Sequence, residues 1–284
     1  MTETPIAGTE KTAVKLAWPD LLQMKREGRK IPVLTCYDHP TAKILTAAGV
    51  RALLVGDSAA MTVLGYDSTI HATMDFMVTI TAAVRRGAPD CFLMADMPFG
   101  SYPDAPTATR NALRFLQESH ADIVKMECDH RHEPIVQALS AAGIPLCAHL
   151  GLLPQKAAFE GAYRAQGRTP EAAAKLVAQA QRLAAAGTPM LLLEAVPDAV
   201  SAQIVAAVPG VVIGCGAGAS CDGHVVVLHD VLGFNARPAR FVEVLTNVPE
   251  RISHAARQYF LDVTQGRYPA SRHAYHMKTT SPGE

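Results

Sequence analysis

Eight short apolar runs dominate this chain, and most of them finish on an ionisable residue. They are VLTCYD (33–38), ALLVGD (52–57), CFLMAD (91–96), IVKME (123–127), PLCAH (145–149), MLLLE (190–194), VVIGCGAG (211–218) and VVVLHD (225–230). The runs are continuous rather than alternating, so both faces of each strand are buried. That is the mark of parallel strands with helices packed outside them. An eight-strand β/α barrel fits the count and the length of 284 residues. A doubly wound open sheet is the alternative, but it needs edge strands, and none of the eight runs is polar enough for an edge. The fold class expected is α/β, a (β/α)8 TIM barrel.

The segments between the runs support this rhythm. WPDLLQMKREG (18–28) reads as a short amphipathic helix with Pro19 in its first turn and Gly28 at its end. Helices are expected after the first run up to Gly49, before Gly87, over about 106–119, from about Pro134 to Gly143, over 170–186 and over 198–207. A polar loop is expected up to about 72, and a long loop from the fifth run to about 169. Only about six residues separate the last two runs, too few for a helix, so that unit is degenerate. Residues 237–267 read as helical. The expected organisation is a loose arm over 1–15, one barrel domain over 16–267 and a tail over 268–284.

In a barrel all strand C-termini converge on one mouth, where active sites are built. Asp57, Asp96 and Glu127 would face one another there. Gathered carboxylates repel unless a cation sits among them. Oxygen donors suit a hard ion, Mg²⁺ before Zn²⁺, and Mg²⁺ takes one or two protein carboxylates with water. Lys125 and Glu127 are two apart and leave the same face of their strand. A lysine in the mouth can neutralise a developing oxyanion, or simply balance its acidic neighbour. Glu194 ends a very apolar strand, and burial raises a carboxyl pKa toward that of a useful general base. A structural salt bridge is the plainer role for it. His149 is either a satisfied core histidine or part of the same ring of strand ends.

Composition excludes several classes. Lys+Arg and Asp+Glu both total 26, and there is no basic stripe, so nothing recruits nucleic acid. No apolar run is long enough to span a bilayer, and the polar start MTETPIAGTEKT lacks a signal-peptide core. The six cysteines form no CxxC pair and no disulfide-scaffold spacing, which points to a reduced, cytoplasmic protein. GCGAGA (214–219) matches a loose dinucleotide pattern, but a strand follows it instead of the helix that would receive a pyrophosphate. Its glycines are read as close backbone approach at the barrel rim. His130 and His132 fall beyond a strand and are read as a solvated loop rather than a zinc site.

Several blocks resemble the ketopantoate hydroxymethyltransferase family. They are LLVGDS (53–58), MTVLGYDST (61–69), AAVRRGAP (82–89), VKMEC (124–128), HLGLLPQ (149–155), AYRAQGR (162–168), LLLEAVP (191–197) and CDGHVVVLHDVLG (221–233), in order over about 16–270. The resemblance implies a barrel of the phosphoenolpyruvate/pyruvate type and a homodecamer. It implies transfer of a one-carbon unit from 5,10-methylenetetrahydrofolate to C3 of 3-methyl-2-oxobutanoate, giving ketopantoate for pantothenate synthesis. Carried over by motif, Asp57 and Asp96 would bind Mg²⁺ with Glu127 close by. Asp57, Ser58, Asp96, Lys125 and His149 would surround the 2-oxo acid, and Glu194 would be the base. The chain departs from the family pattern at Ala59-Ala60, where a bulky residue and then glycine are usual, at Cys128, where glycine is usual, and at Arg164 and His224, where lysine and glutamine are usual. Two other readings use the same residues. One is a paralogue, a Mg²⁺-dependent aldolase or lyase acting on a different 2-oxo acid. The other is a catalytically silent oligomeric scaffold.

Overall fold

The computed structural model of the chain describes residues 14–160 and 164–277. Its elements are α1 (Trp18–Arg26), β1 (Ile31–Thr35), α2 (His39–Ala47), β2 (Ala52–Val55), α3 (Ala59–Thr62), α4 (Met74–Gly87), β3 (Phe92–Asp96), α5 (Ala105–Glu118), β4 (Ile123–Glu127), α6 (Glu133–Ala141), β5 (Leu146–Gly151), α7 (Pro154–Glu160), α8 (Pro170–Ala185), β6 (Met190–Glu194), α9 (Asp198–Ala207), β7 (Val211–Cys215), β8 (Gly223–Val226), α10 (Leu228–Val231) and α11 (Val248–Thr264). Short 3₁₀ turns lie at Thr69–His71, His130–His132 and Ser271–His273.

The eight strands form one closed barrel in sequence order, every neighbour parallel. Closure is made by β1 on β8, with Ile31 opposite Gly223 and Leu34 opposite Val226. An open sheet is thereby excluded. The outer helices begin where short polar side chains satisfy orphan amides. Asp38, Thr73, Asp104 and Thr169 each accept from the backbone N–H three residues on, at the starts of α2, α4, α5 and α8.

One face of each strand points into the barrel. Ile31, Val33, Ala52, Leu54, Phe92, Met94, Ile123, Cys147, Met190, Leu192, Val211, Ile213 and Val225 form a single buried cluster there. Leu21 of α1 joins it, fully buried, with Leu16, Trp18, Leu22 and Met24 packed alongside. Because Leu21 meets residues at the strand starts, α1 closes the N-terminal end of the barrel. Lys25 holds the helix there through Asp222, at 3.0 Å. The C-terminal end is left for chemistry.

By packing, the chain divides into two compact units. The first holds everything described up to Leu228 together with Arg240–Val242, and the second holds 229–239 and the described residues from Glu243 on. The domain expected over 16–267 therefore contains the whole barrel and also α11 of the second unit. Of the expected arm, residues 1–13 lie outside the described residues, as do 278–284 of the expected tail and 161–163 of the loop after β5.

Several boundaries differ from expectation. The expected helix over 237–267 occupies only 248–264, where Asn247 supplies a cap and Pro249 starts the turn. The last strand ends at Val226 instead of Asp230, because the chain turns into α10. The long loop after β5 contains α7, begun by Pro154, and the polar loop after β2 contains α3. No described helix is long and apolar enough to cross a membrane.

Candidate active site

The site continues the inward stripes of the strands. Phe92 and Met94 are followed two residues on by Asp96, and Ile123 by Lys125 and then Glu127. Cys147 is followed by His149, and Met190 and Leu192 by Glu194. The twofold repeat that fills the core thus delivers five ionisable side chains to the C-terminal end of one barrel. Asp57 and Ser58 sit just past β2.

Asp96 and Lys125 are cross-strand partners in the β3–β4 register. Their side chains make an ion pair, and both are buried. Asp96 Oδ2 also accepts the backbone N–H of Asp57 at 3.0 Å, which draws the end of β2 onto β3. Burial opposes the charge on Lys125, but Asp96 and Asp57 outweigh it and lift its pKa above the ordinary lysine value. Burial and the nearby Asp96 push the Asp57 carboxyl up to about 7, against the pull of Lys125. Burial likewise pushes Glu127 up to about 8. Glu127 Oε1 accepts a backbone N–H from Gln155 at 2.9 Å, while its buried Oε2 has no hydrogen-bond partner.

On the opposite part of the ring, His149 Nε2 lies 3.3 Å from Glu194 Oε2, close but not aligned as a hydrogen bond. His149 is 1% exposed. Burial and the charge of Lys125 hold its pKa well below the usual histidine range, so the ring is neutral. Burial pushes Glu194 up to about 7, and its side chain keeps 18% exposure, enough to be reached from the mouth. Ser58 Oγ is 2.8 Å from the Tyr37 hydroxyl.

Two adjustments of the backbone set the position of Glu194. Gly151, opposite Glu194 in register, has φ +92°, and a Cβ on it would lie 2.3 Å from the Glu194 carbonyl oxygen. Ala195 adopts φ +49°, the left-handed region that L-residues disfavour, and turns the chain away immediately after the carboxylate.

The donor set suits a hard cation. Asp57, Asp96 and Glu127 offer oxygen only, Glu127 Oε2 is a buried acceptor with nothing donating to it, and two of the three carboxyls resist ionisation without added positive charge. Among the described residues no three of His, Cys, Asp or Glu come together closely enough to hold an ion unaided. An ion here would rest on few protein oxygens and leave positions for substrate and water, which is the habit of Mg²⁺.

The structure also reveals three groups that sequence reasoning did not single out. Gln155 Nε2 donates to Asp57 Oδ2 at 2.8 Å and to the Met97 carbonyl at 3.2 Å, and Gln155 Oε1 accepts from Tyr102. Tyr37 backs Ser58. A signal for Gln155 was present in the block HLGLLPQ, where a polar side chain follows Pro154 directly after a strand. The pair His130 and His132 does not join the site. His132 Nδ1 lies 2.9 Å from Asp129 Oδ1 and 3.0 Å from the Asp129 backbone N–H, in a 3₁₀ turn. Gly218, in the glycine-rich stretch after β7, has φ +78° and passes so close to Asp198 that a Cβ would meet its carboxylate at 2.2 Å. The close-approach reading of those glycines fits this geometry.

Comparison with known proteins agrees with the barrel and narrows the family. Among solved structures, phosphonopyruvate hydrolase in complex with oxalate and Mg²⁺ superposes with a TM-score of 0.58 at 12% identity, covering 93% of each chain. 2,3-Dimethylmalate lyase, a member of the PEP mutase/isocitrate lyase superfamily, superposes with a TM-score of 0.56 at 15% identity, covering 93% of this chain and 91% of its own. At such identities the likeness concerns the fold. In sequence, the chain is 45% identical over 261 residues to the 3-methyl-2-oxobutanoate hydroxymethyltransferase of Geobacillus sp. (strain WCH70), covering 91% of this chain and 94% of that protein. It is 45% identical over 258 residues to the enzyme of the same name from Desulfotalea psychrophila, covering 90% and 92%. The family model described as ketopantoate hydroxymethyltransferase matches residues 15–271, a span that takes in every strand and every ionisable group of the barrel mouth. The chain belongs to the ketopantoate hydroxymethyltransferase family.

Proposed function

We propose that this enzyme removes the C3 proton of 3-methyl-2-oxobutanoate and joins the resulting carbanion to a one-carbon unit, yielding ketopantoate. The observation that carries the reading is a division of the mouth. A buried Lys125–Asp96 pair with two further acids lies on one side, and Glu194, with a carboxyl near neutrality beside a neutral histidine, lies on the other.

Asp57 and Asp96 would hold Mg²⁺, with Glu127 in support. Bound there, Mg²⁺ supplies Lewis acidity toward a 2-oxo acid. 5,10-Methylenetetrahydrofolate, as co-substrate, brings the one-carbon unit at the formaldehyde level: its bonds to the two folate nitrogens break, one water supplies the hydroxyl oxygen of the product, and tetrahydrofolate leaves. Ser58, its hydroxyl oriented by Tyr37, and Lys125 hold the oxo acid. Lys125 presents fixed positive charge where oxyanion character grows, in a site that water screens poorly. Glu194 accepts the C3 proton on its carboxylate, and a pKa of about 7 makes it an effective base near neutral pH. His149, neutral and with both ring nitrogens lacking hydrogen-bond partners, is available to donate to or accept from the substrate or Glu194. The segment with α7 flanks this mouth and is suited to exclude water.

We place the enzyme in the cytoplasm, in keeping with six cysteines that form no disulfide among the described residues. Self-association, as a decamer by the family resemblance, would cover Ile252, Tyr259 and Phe260, which α11 leaves exposed.

The test is proton–deuterium exchange at C3 of 3-methyl-2-oxobutanoate in D₂O, followed by NMR with and without Mg²⁺. Mg²⁺-dependent exchange that Glu194→Gln abolishes supports the assignment. Exchange of some other 2-oxo acid in its place would move the chain to the paralogue reading. No exchange with any 2-oxo acid would leave a silent scaffold.

A further inference from the structure

Gln155 is 3% exposed, and its amide is engaged on every side. The Met97 carbonyl can only accept, so the amide nitrogen must face it and Asp57, and the amide oxygen must face Tyr102. The Tyr102 hydroxyl is then obliged to donate. Tyr102 is itself 9% exposed, so this chain of hydrogen bonds is shielded from competing water.

The residue joins four parts of the barrel mouth. Its side chain reaches Asp57 after β2, and Met97 and Tyr102 after β3. Its backbone N–H reaches Glu127 at the end of β4, and the residue itself lies in the first turn of α7 after β5. The next residue, Lys156, is ion-paired with Asp129, so the start of α7 is pinned twice in succession. A carboxylate with one oxygen held by a fixed donor has its plane fixed too. Such outer partners of a metal-facing carboxylate govern both its aim and its basicity.

We propose that Gln155 is a positioning residue that aims the Asp57 carboxylate at the cation and ties cation binding to the ordering of α7. The proposal rests on the metal role given to Asp57 above. The side chain and the backbone of Gln155 act on different carboxylates. Substitutions of the side chain should therefore weaken the Asp57 contribution and leave the hydrogen bond to Glu127 in place.

The experiment titrates metal-free protein with Mn²⁺ alone, reading free ion by electron paramagnetic resonance. Thermal unfolding and hydrogen exchange of the peptide spanning 152–160 are recorded in parallel. Gln155→Met keeps the volume and removes the amide. The expected result is Mn²⁺ affinity lower by about 10–100-fold, with the melting temperature within a few degrees of wild type. Tyr102→Phe, which keeps the ring and loses only the donor, should lower affinity in the same direction by less, and it carries the test if Gln155→Met does not fold. In wild type, Mn²⁺ should slow exchange in α7, and in Gln155→Met it should not. Affinity within twofold of wild type for both variants, while Asp57→Asn loses binding, would overturn the positioning role and leave the metal reading intact. A lowered melting temperature with unchanged affinity would overturn it in favour of a packing role. Wild type that binds no Mn²⁺ would overturn the metal reading and this proposal together.

Discussion

Glu194 and His149 face each other across the β5–β6 seam, Oε2 to Nε2 at 3.3 Å, and neither is held by a hydrogen bond between them. Burial pushes the first toward its neutral acid and the second toward its neutral base. A proton delivered to Glu194 therefore meets a neighbour that does not compete by charge, and the carboxylate stays free to take the proton from carbon.

That relationship sets a pH profile. Glu194 acts only when ionised, and burial has moved its pKa up to about 7. Exchange at C3 should rise as pH increases from about 5.5 through about 7 and then level off. Glu194→Gln should lower the rate by about 10²–10⁴-fold at the plateau. NMR exchange rates collected at half-unit steps check both points, and a flat profile from about pH 5.5 to about pH 8.5 would exclude Glu194 as the base.

Lys125 holds the folded state together as well as the site. Its ammonium is buried against Asp96, with Asp57 close by. Lys125→Met leaves those carboxylates without their counter-charge, a change that typically costs about 3–5 kcal/mol. Urea unfolding should show that loss, and adding Asp96→Asn to Lys125→Met should recover part of it. If the double variant were no more stable than the single one, the pair would not be coupled as described.

Glu127 makes the metal-free protein less stable as pH rises. Its folded pKa, about 8, lies above its ordinary value of 4.5. Between those values the folded state binds more protons than the unfolded one, so stability falls as pH increases. Buried His149 works in the opposite sense up to about its ordinary value of 6.5, because its folded pKa is depressed. The difference between wild type and Glu127→Gln isolates the carboxyl. The variant should gain relative stability steadily from about pH 5 to about pH 8, as measured by thermal unfolding without divalent ions. An unchanging difference across that window would show that Glu127 ionises freely in the fold.

Gly151 is where backbone and chemistry meet. Its φ is +92°, and a methyl group on its Cα would stand 2.3 Å from the Glu194 carbonyl oxygen, so an alanine has neither the conformation nor the space. Gly151→Ala should cost about 1–3 kcal/mol for the backbone conformation alone. It should also lower C3 exchange, because the collision is with the residue that carries the base. Wild-type exchange in a folded Gly151→Ala would show that the end of β6 moves without consequence.

The barrel itself was legible in the sequence. Continuous apolar runs such as MLLLE and CFLMAD can only be buried on both faces, and eight of them in a chain of this length favour closure. The positions of Asp96, Lys125, Glu127, His149 and Glu194 at the same end followed from the same runs, since parallel strands all finish on one side. The elements after the strands were less visible. Short helices such as α7 lack a full hydrophobic period, and the residues before α11 carry no pattern that separates an irregular loop from a helix.

What the sequence determined by itself was this supply of acids, a lysine and a histidine at the ends of parallel strands, because strand direction and a twofold side-chain repeat are local properties. What only the tertiary structure decided was which of these groups touch, and through what. Gln155 and Asp57 are 98 residues apart, and Lys125 and Asp96 are 29 apart. The first contact exists because β1 closes on β8 and brings loops after different strands into one mouth, and the second because β3 and β4 pair in register. The shifted ionisation of Asp57, Glu127 and Glu194 has the same origin, since burial removes water from a carboxyl only when the whole ring of strands has formed around it.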